Sequence, residues 1–290
     1  MSGHGVEQLT PTYLRAWPLP APDGAKESRG TVLAVGGARS TPGSILLAGM
    51  AALRAGAGKL QIATTESTAV ALAVALPEAM VMGLPETPDG SPTTQRPDAL
   101  KGLIAGADVV LIGPGLVEDD LTAELLAFVL SSLSEGAGLV IDAYALRALA
   151  RQPDRLRGRL PLPVLTPNLE EGAILLGREP GDNLDADAAE LAASLGCVVS
   201  MFGHIAEPGG HSWRQEAAGI GLGTSGSGDV AAGLVAGMLA RGAPPAQAAC
   251  WGIHVHAAAG DIQAVQRGRT SYLAREIVEG ISPALTALEI

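Results

Sequence analysis

Short apolar segments alternate along the chain with longer segments in which small apolar residues recur at helical spacing. Runs such as 31–35 (TVLAV) and 108–112 (DVVLI) lack the polar alternation of a half-exposed strand, so they indicate strands covered on both faces. The predicted strands are 31–35, 59–64, 108–112, 139–142, 163–166 and 197–201, and the predicted helices are 45–56, 67–76, 121–133, 185–195, 229–241 and 245–261.

This alternation of strands and helices predicts an α/β fold with a largely parallel, doubly wound central sheet and helices on both of its faces. Residues 1–29 are rich in proline and polar side chains, and we expect them to form an N-terminal arm. No linker-like stretch divides the remainder, so residues 30–290 are predicted to form a single domain.

Polar and glycine residues follow several of the predicted strands. In an open α/β sheet a ligand binds at the carboxyl ends of the strands, so these residues mark the expected position of a site. Each turn taken alone is more typical of an ordinary strand–helix connection than of a site. The segments concerned are Gly36-Gly37, Gly113-Pro114-Gly115, Asp142 and Thr166-Pro167-Asn168.

Composition and charge narrow the possible functions. Hydrophobic residues make up 47% and charged residues 17% of the 290 positions, which excludes an intrinsically disordered chain. The formal net charge of −11 argues against a general nucleic-acid or anionic-membrane binder, but an anionic small ligand remains possible. We expect a cytoplasmic protein, because the N-terminus lacks a secretory apolar region and no apolar run reaches the ~20 residues of a membrane span. Cys197 and Cys250 are expected to be buried thiols.

Two nucleotide-binding motifs and a metal site are disfavoured. Gly58-Lys59 fails the P-loop pattern because Leu53 and Leu60 stand at its glycine and Ser/Thr positions. The glycines of segment 221–226 match G-x-G-x-x-G, but segment 214–219 before them is not strand-like and no acidic residue follows at the required distance. His254 and His256 are two apart, so they face different sides of a helix and are expected to have packing or supporting roles.

The segment 221–229 (GLGTSGSGD) leads directly into an apolar helix. Glycines before a helix N-terminus allow backbone N–H groups to converge, and the helix dipole adds partial positive charge, so the segment predicts an anion hole for a transferring phosphoryl group. Asp229 lies where it could take a proton from an attacking hydroxyl. The alternative is that Asp229 only caps its own helix, but capping does not require Gly223, Gly226 and Gly228 together.

The order of these motifs resembles that of the ADP- or ATP-dependent NAD(P)H-hydrate dehydratases, which are ribokinase-like proteins with a three-layer α/β/α fold. The resemblance extends over about residues 30–285. The matching segments are 36–43, 46–49, 54–60, 77–80, 113–116, 142–143, 165–167, 223–224, 226–230 and 258–261.

The resemblance implies repair of hydrated NADH or NADPH by phosphorylation of the ring hydroxyl and elimination of phosphate, with ADP or ATP as donor and Mg²⁺ on the phosphates. Asp229 would be the base. The N–H groups of Gly226, Ser227 and Gly228 would hold the phosphoryl group. The positions implied to contact the hydrate are Ser44, Gly115, Asn168 and Asp229, and those implied to contact the nucleotide are Met201, Phe202, Gly203, His204, Ile205 and Gly228.

Five motifs differ from the usual family pattern. Asn168 stands for His, Tyr144 for the second Asp of D-A-D, and Phe202 for Lys; Ala218-Gly219 replaces G-N, and Ser225 replaces the first Gly of G-G-S-G-D. Two alternatives therefore stay open: a diverged ribokinase-like kinase that acts on another hydroxyl compound, and a non-catalytic paralogue that binds nucleotide. The retained Asp229 argues against the second alternative.

The expected partners also follow partly from the resemblance. The substrate would be a small NADHX- or NADPHX-type molecule, with no nucleic acid and no membrane. The family and the Ala/Gly-rich helices suggest a homo-oligomer, a homotetramer. Residues 1–29 are too short to hold the epimerase domain that is sometimes fused in this family, so any epimerase is expected to be a separate chain.

Overall fold

The computed structural model describes residues 5–21, 29–216 and 219–289. Ten strands and eleven helices are assigned within these ranges. The strands are β1 (Glu7–Leu9), β2 (Thr31–Val35), β3 (Lys59–Thr65), β4 (Ala79–Leu84), β5 (Val109–Ile112), β6 (Gly138–Ile141), β7 (Val164–Leu165), β8 (Val198–Met201), β9 (His204–Ala206) and β10 (Ser212–Gln215). The helices are α1 (Pro11–Ala16), α2 (Pro42–Ala55), α3 (Glu66–Ala75), α4 (Pro97–Gly106), α5 (Asp119–Ser132), α6 (Tyr144–Ala150), α7 (Leu169–Leu176), α8 (Leu184–Leu195), α9 (Ser227–Ala240), α10 (Pro245–Arg267) and α11 (Ala274–Glu289).

The strands form one sheet in the order β1-β10-β9-β8-β7-β6-β5-β2-β3-β4. Strands β2 to β8 pair in parallel, whereas β9 is antiparallel to both β8 and β10. The chain reverses its direction of progress at β2, which lies between β5 and β3. Such a reversal opens a crevice at the carboxyl ends of the strands.

The central strands bury both of their faces, which explains why they lack polar alternation. In β2, Val32 and Ala34 join one core, and Leu33 and Val35 join the other. The first core contains the packed sides of α1, α2, α3, α9, α10 and α11, and the second contains those of α4, α5, α6 and α8. This three-layer arrangement confirms the predicted α/β fold.

The six predicted strands are all present, with ends that differ by at most one residue. The six predicted helices are also present, but α2 begins three residues earlier than predicted and α10 continues six residues beyond residue 261. One statement about segment 214–219 was wrong: Arg214 and Gln215 lie in β10. That strand is an antiparallel edge strand, so it does not supply the parallel strand of a dinucleotide-binding unit.

Residues 5–21, within the segment predicted as an arm, pack on the sheet. Strand β1 pairs in parallel with β10, and Leu14 of α1 is completely buried. The ring of Trp17 stacks on that of Trp213 at 5.9 Å, and its backbone carbonyl accepts a hydrogen bond from the indole of Trp251. Residues 1–4 and 22–28 of the predicted arm lie outside the described residues.

Helices α2 and α9 approach each other backbone to backbone. A Cβ atom on Gly233 would lie 2.1 Å from the carbonyl oxygen of Ala48, and one on Gly237 would lie 2.4 Å from that of Ala52. Only glycine allows this approach, and the α9 residues after Asp229 are buried. The contact fixes the N-terminal ends of the two helices relative to each other. Over the three described ranges, no helix is both long enough and apolar enough to cross a membrane.

Candidate active site

The N-terminus of α9 lies after a tight glycine turn. Gly226 has a φ of +88°, and a Cβ there would lie 2.7 Å from Leu47 of α2. Ser227 is the first residue of the helix and Gly228 is exposed. The N–H of Ser227 donates to the carbonyl of Thr224 at 3.2 Å, which closes the turn. The N-terminus of a buried helix thus opens to solvent at Gly228, as an anion site requires.

Asp229 is the third residue of α9 and is half-buried. Burial raises the pKa of its carboxyl group, and a hydrogen bond from the side chain of Ser44 opposes that rise. Ser44 is the third residue of α2, so the close contact of α2 with α9 brings this pair together. A carboxylate with a raised pKa is a better general base than an ordinary aspartate.

Gly115 lies beside Ser44 because two loops are hydrogen-bonded to each other. The N–H of Ala38 and the hydroxyl of Thr41 both donate to the carbonyl of Gly115, each at 2.7 Å. Gly115 has a φ of +72°, and a Cβ there would lie 2.6 Å from the carbonyl oxygen of Thr41 and 3.1 Å from Cβ of Ser44. The glycine therefore keeps the space beside Ser44 open.

Three carboxyl groups lie close together at this edge of the sheet. Asp142 follows β6 and is buried, with its Oδ1 accepting a hydrogen bond from the Thr166 hydroxyl at 2.8 Å. Burial raises its pKa well above the usual value, and the charges of Glu171 and Asp229 raise it further. The pKa of Glu171 is raised chiefly by burial, while its hydrogen bond with the Asn168 backbone lowers it. The sequence analysis did not identify Glu171.

Asn168 caps helix α7. Its Oδ1 accepts from the N–H of Glu171 at 2.8 Å, and Glu171 Oε2 accepts from the N–H of Asn168 at 2.9 Å, so the two residues form a capping box. The exposed Asn168 side chain has donors on its Nδ2 that the cap does not use. The spacing Asn168-x-x-Glu171 is a signal in the sequence that could have revealed both the cap and the buried glutamate.

Tyr144 begins α6 immediately after Asp142-Ala143. The guanidinium carbon of Arg147 lies 5.0 Å from the centre of the Tyr144 ring. Ala143 has a φ of +51°, which is uncommon for a residue with a Cβ. Strain of this kind persists where the surroundings hold the backbone in place, and here it sets the turn between Asp142 and α6.

Phe202 and Gly203 form the two-residue turn between β8 and β9. Their φ angles are +50° and +86°, the pattern of a type I′ hairpin turn, in which Asn-Gly is the preferred pair. The Phe202 side chain is 70% exposed, whereas Met201 and Ile205 are buried. Of the six residues predicted to contact a nucleotide, Met201 and Ile205 can therefore offer only their backbone groups, and Phe202 offers an exposed aromatic face.

His204 contacts a carboxylate that also forms an ion pair. Its Nδ1 lies 2.5 Å from Oδ1 of Asp185, and the same carboxylate pairs with Arg214 of β10. Burial lowers the pKa of His204, and the half-exposed ring anchors the hairpin to α8. Of the remaining departures from the family pattern, Gly219 precedes a 3-10 turn and Ser225 is exposed, while Ala218 lies outside the described residues.

Among residues 5–21, 29–216 and 219–289, no group of three or more His, Cys, Asp or Glu side chains could hold a metal ion. Cys197 and Cys250 are buried free thiols, as predicted. A cavity of about 660 Å³ lies at the amino ends of the central strands, away from the candidate site. Gly30, Asp108, Gly138 and Ala240 are among its lining residues, and no predicted site residue borders it.

The fold of the protein is ribokinase-like. A ribokinase-like superfamily protein from Enterococcus faecalis superimposes with a TM-score of 0.82 at 23% identity, covering 100% of this chain and 98% of that one. An ADP/ATP-dependent NAD(P)H-hydrate dehydratase from Bacillus subtilis, co-crystallized with ATP and Mg²⁺, also gives a TM-score of 0.82, at 27% identity and with 98% and 99% of the two chains covered.

Sequence relatives narrow the class to one family. A family model described as NAD(P)H-hydrate dehydratase matches residues 32–283. An ADP-dependent (S)-NAD(P)H-hydrate dehydratase from Xanthomonas campestris is 44% identical over 284 residues, which cover 96% of this chain and 95% of the relative. A bifunctional NAD(P)H-hydrate repair enzyme from Moorella thermoacetica is 37% identical, and the match covers 97% of this chain but 54% of that protein. The chain belongs to the NAD(P)H-hydrate dehydratase family, and it spans about half the length of the bifunctional relative.

Proposed function

We propose that this protein dehydrates hydrated NADH and NADPH in a nucleotide-dependent reaction. The observation that carries the proposal is the pairing of Asp229 with Ser44 at the N-terminus of α9, where a partly buried carboxylate stands beside an anion-binding turn. The 44% identity to the dehydratase from Xanthomonas campestris supports it over nearly the full length of both proteins.

In this proposal Asp229 removes the proton from the ring hydroxyl of the hydrate. The hydroxyl oxygen attacks the terminal phosphorus of the nucleotide, and the bond from that phosphorus to the bridging oxygen breaks. The N-terminus of α9, at Gly226, Ser227 and Gly228, stabilises the transferring phosphoryl group. The ring nitrogen then expels phosphate, and loss of a proton from the neighbouring ring carbon restores the dihydronicotinamide.

The remaining predicted site residues have supporting places in this scheme. Ser44, Gly115 and Asn168 would contact the hydrate, since Gly115 lies against Ser44 and the exposed Asn168 has unused amide donors. The turn of Met201, Phe202, Gly203, His204 and Ile205 would hold the nucleotide, together with Gly228. Helix α9 packs on β5 and β6. Strand β8 is two positions from β6 in the sheet, about 10 Å away, which is within reach of a nucleotide whose phosphates lie at α9.

ADP and ATP are both candidate donors, and ADP is the first to test because the relative from Xanthomonas campestris is named as ADP-dependent. The described residues contain no cluster that could hold a metal by itself. Mg²⁺ would therefore bind mainly through the phosphates of the nucleotide, which fits its usual coordination, and would neutralise their charge when bound.

A spectral assay tests the proposal. Purified protein is mixed with hydrated NADH and Mg²⁺, ADP or ATP is added in separate runs, and the dihydronicotinamide absorbance is followed. We expect a rise that requires one of the nucleotides and is absent in Asp229→Asn. A phosphorylated product without the chromophore would instead establish the diverged kinase that the changes at Asn168, Tyr144 and Phe202 left open. A folded protein that gives neither signal would contradict both enzymatic functions.

One partner prediction accompanies this function. We propose a homotetramer, which sedimentation of the purified protein tests directly.

A further inference from the structure

A buried histidine lies directly against the first residue of α9. His256 of α10 places its Nε2 3.0 Å from the Ser227 hydroxyl oxygen. The residues are 9% and 5% exposed, so this contact is screened from water. Burial lowers the pKa of His256 to about 4, and the imidazole is therefore neutral at physiological pH.

A neutral imidazole carries one proton, on either Nδ1 or Nε2, and the two forms orient the Ser227 hydroxyl differently. With the proton on Nε2, the imidazole donates to the Ser227 hydroxyl oxygen, and the hydroxyl proton is left to donate to another group. With the proton on Nδ1, the Ser227 hydroxyl would instead donate to Nε2.

The main-chain N–H of Ser227 already has a partner, the carbonyl of Thr224, at 3.2 Å. The side chain is therefore the part of Ser227 left for an anion at the end of α9. A serine hydroxyl with its oxygen fixed from one side can turn its proton only through a narrow range of directions.

We propose that His256 is a positioning residue for phosphoryl transfer: by donating to Ser227, it orients the Ser227 hydroxyl as a donor to the transferring phosphoryl group. This inference rests on the proposed function and assigns a role to a histidine that does not itself touch substrate. It also gives Ser227 a side-chain contribution in place of the backbone N–H contribution that the glycine pattern predicted, because that N–H is bonded to Thr224.

His254 provides a matched control on the same helix. It is 8% exposed, and its Nδ1 lies 2.7 Å from Oε1 of Gln215, away from Ser227. His254→Phe and His256→Phe therefore make the same chemical change at similar burial. Both are expected to alter thermal stability, but only the second removes a hydrogen bond to Ser227.

The experiment is a double-mutant cycle in the spectral assay. Removal of one preorganised donor lowers kcat by about 100-fold, so Ser227→Ala should show a loss of that size. His256→Phe leaves the hydroxyl present but free to rotate, and we expect a loss of about 10-fold. The double variant should lose about 100-fold, no more than Ser227→Ala alone, because His256 acts only through Ser227.

Two further readouts separate positioning from a general structural effect. The KM for the nucleotide should change less than about threefold in His256→Phe, since the missing interaction belongs to the transition state. His256→Gln, whose side-chain amide can again donate towards Ser227, should recover most of kcat. Losses that multiply in the double variant, failure of the Gln variant to recover, or an equal loss in His254→Phe would overturn the proposal.

The same proteins distinguish this inference from the proposed function. If the wild-type chain does not dehydrate the hydrate, that function fails, and the readout becomes the affinity for orthovanadate, a mimic of the transferring phosphoryl group, measured by calorimetry with AMP or ADP present. Weaker vanadate binding in Ser227→Ala and His256→Phe, but not in His254→Phe, would then still support the role of His256. Equal vanadate affinities in all variants, or no vanadate binding by the wild type, would overturn it.

Discussion

The two ends of the candidate site are built in opposite ways. At one end, Gly226 and Asp229 are enclosed by α2 and α9, and Ser227 is also held by His256 of α10. At the other end, Phe202 extends from a two-residue turn and is 70% exposed. The first end keeps the G-S-G-D of the family pattern at residues 226–229 but has Ser225 in place of the first Gly, whereas the second has Phe where the family usually has Lys.

The difference shows how packing limits change. A side chain at Gly226 would meet the end of the Leu47 side chain at 2.7 Å and would have to adopt a φ of +88°, so a substitution there strains the turn before α9. Phe202 contacts mainly solvent, and exposed substitutions usually change stability by only about 0.5 kcal/mol. We therefore expect variants at the enclosed end to affect turnover or folding strongly, and variants at the exposed turn to adjust nucleotide affinity.

The largest effect is expected from Asp229→Asn. Loss of the general base should lower kcat by about 10²- to 10⁴-fold, because an amide cannot accept the proton. The fold should persist, since burial already disfavours the charged form of Asp229. Rates from the spectral assay and thermal unfolding of the same sample check both points. Turnover within about threefold of the wild type would remove Asp229 from the mechanism.

The next effect concerns the support behind the enclosed end. Gly233→Ala places a Cβ 2.1 Å from the Ala48 carbonyl oxygen and should lower the free energy of unfolding by about 1–3 kcal/mol. The control is Gly102→Ala on α4, where a Cβ would meet nothing within 4 Å, and this change should raise it by about 0.5–1 kcal/mol. Urea unfolding measures both. Equal changes in the free energy of unfolding for the two variants would show that helices α2 and α9 can move apart at little cost.

Ser44→Ala is expected to change the pH dependence of kcat/KM. The Ser44 hydrogen bond lowers the pKa of Asp229, so its removal raises that pKa. A general base acts when deprotonated, and the acid limb of kcat/KM should therefore move to higher pH. At higher pH, where kcat/KM no longer changes with pH, we expect its value to fall by less than about tenfold, which corresponds to the loss of one hydrogen bond. Ser131→Ala on α5 is the control, since its hydroxyl bonds only within its own helix. An unmoved limb would contradict the pairing.

The smallest effects are expected at the exposed turn. Phe202→Lys should tighten ADP binding by about threefold to tenfold at low salt, because a cation replaces a neutral ring near the phosphates. Phe202→Asn, which suits a positive φ, should instead stabilise the protein by about 1 kcal/mol without a gain in affinity. Calorimetry and thermal unfolding distinguish the two. Unchanged ADP affinity in Phe202→Lys would contradict the proposal that this turn lies near the nucleotide phosphates.

The sequence predicted the buried elements better than the edges. Strands such as β2 and β5 are apolar throughout because both faces are covered, so their pattern is visible without the rest of the fold. The elements that were not predicted are strands β1, β4, β9 and β10 and helices α1, α4, α6, α7 and α11. Strand β4 is an edge strand that includes a glycine, and β9 has three residues, so their conformation depends on tertiary partners more than on local pattern.

The same limit applies to the site. The glycine spacing before α9 indicates an anion site because the backbone requirement is local. The contact of Asp229 with Ser44 joins helices far apart in the chain, and the contact of Ser227 with His256 depends on how α10 packs on α9. Neither contact can be predicted from a single sequence, whereas the Asn168–Glu171 capping box has a recognisable local pattern.

The glycine contact between α2 and α9 has a consequence for how activity is gained and lost. The base and its hydroxyl partner come from helices that the chain makes early and late, and each reaches its place only when the two backbones meet. Assembly of the catalytic pair thus coincides with completion of the core, as in a cooperative folding unit. On heating, enzyme activity and tertiary structure should disappear together, with no folded but inactive form in between.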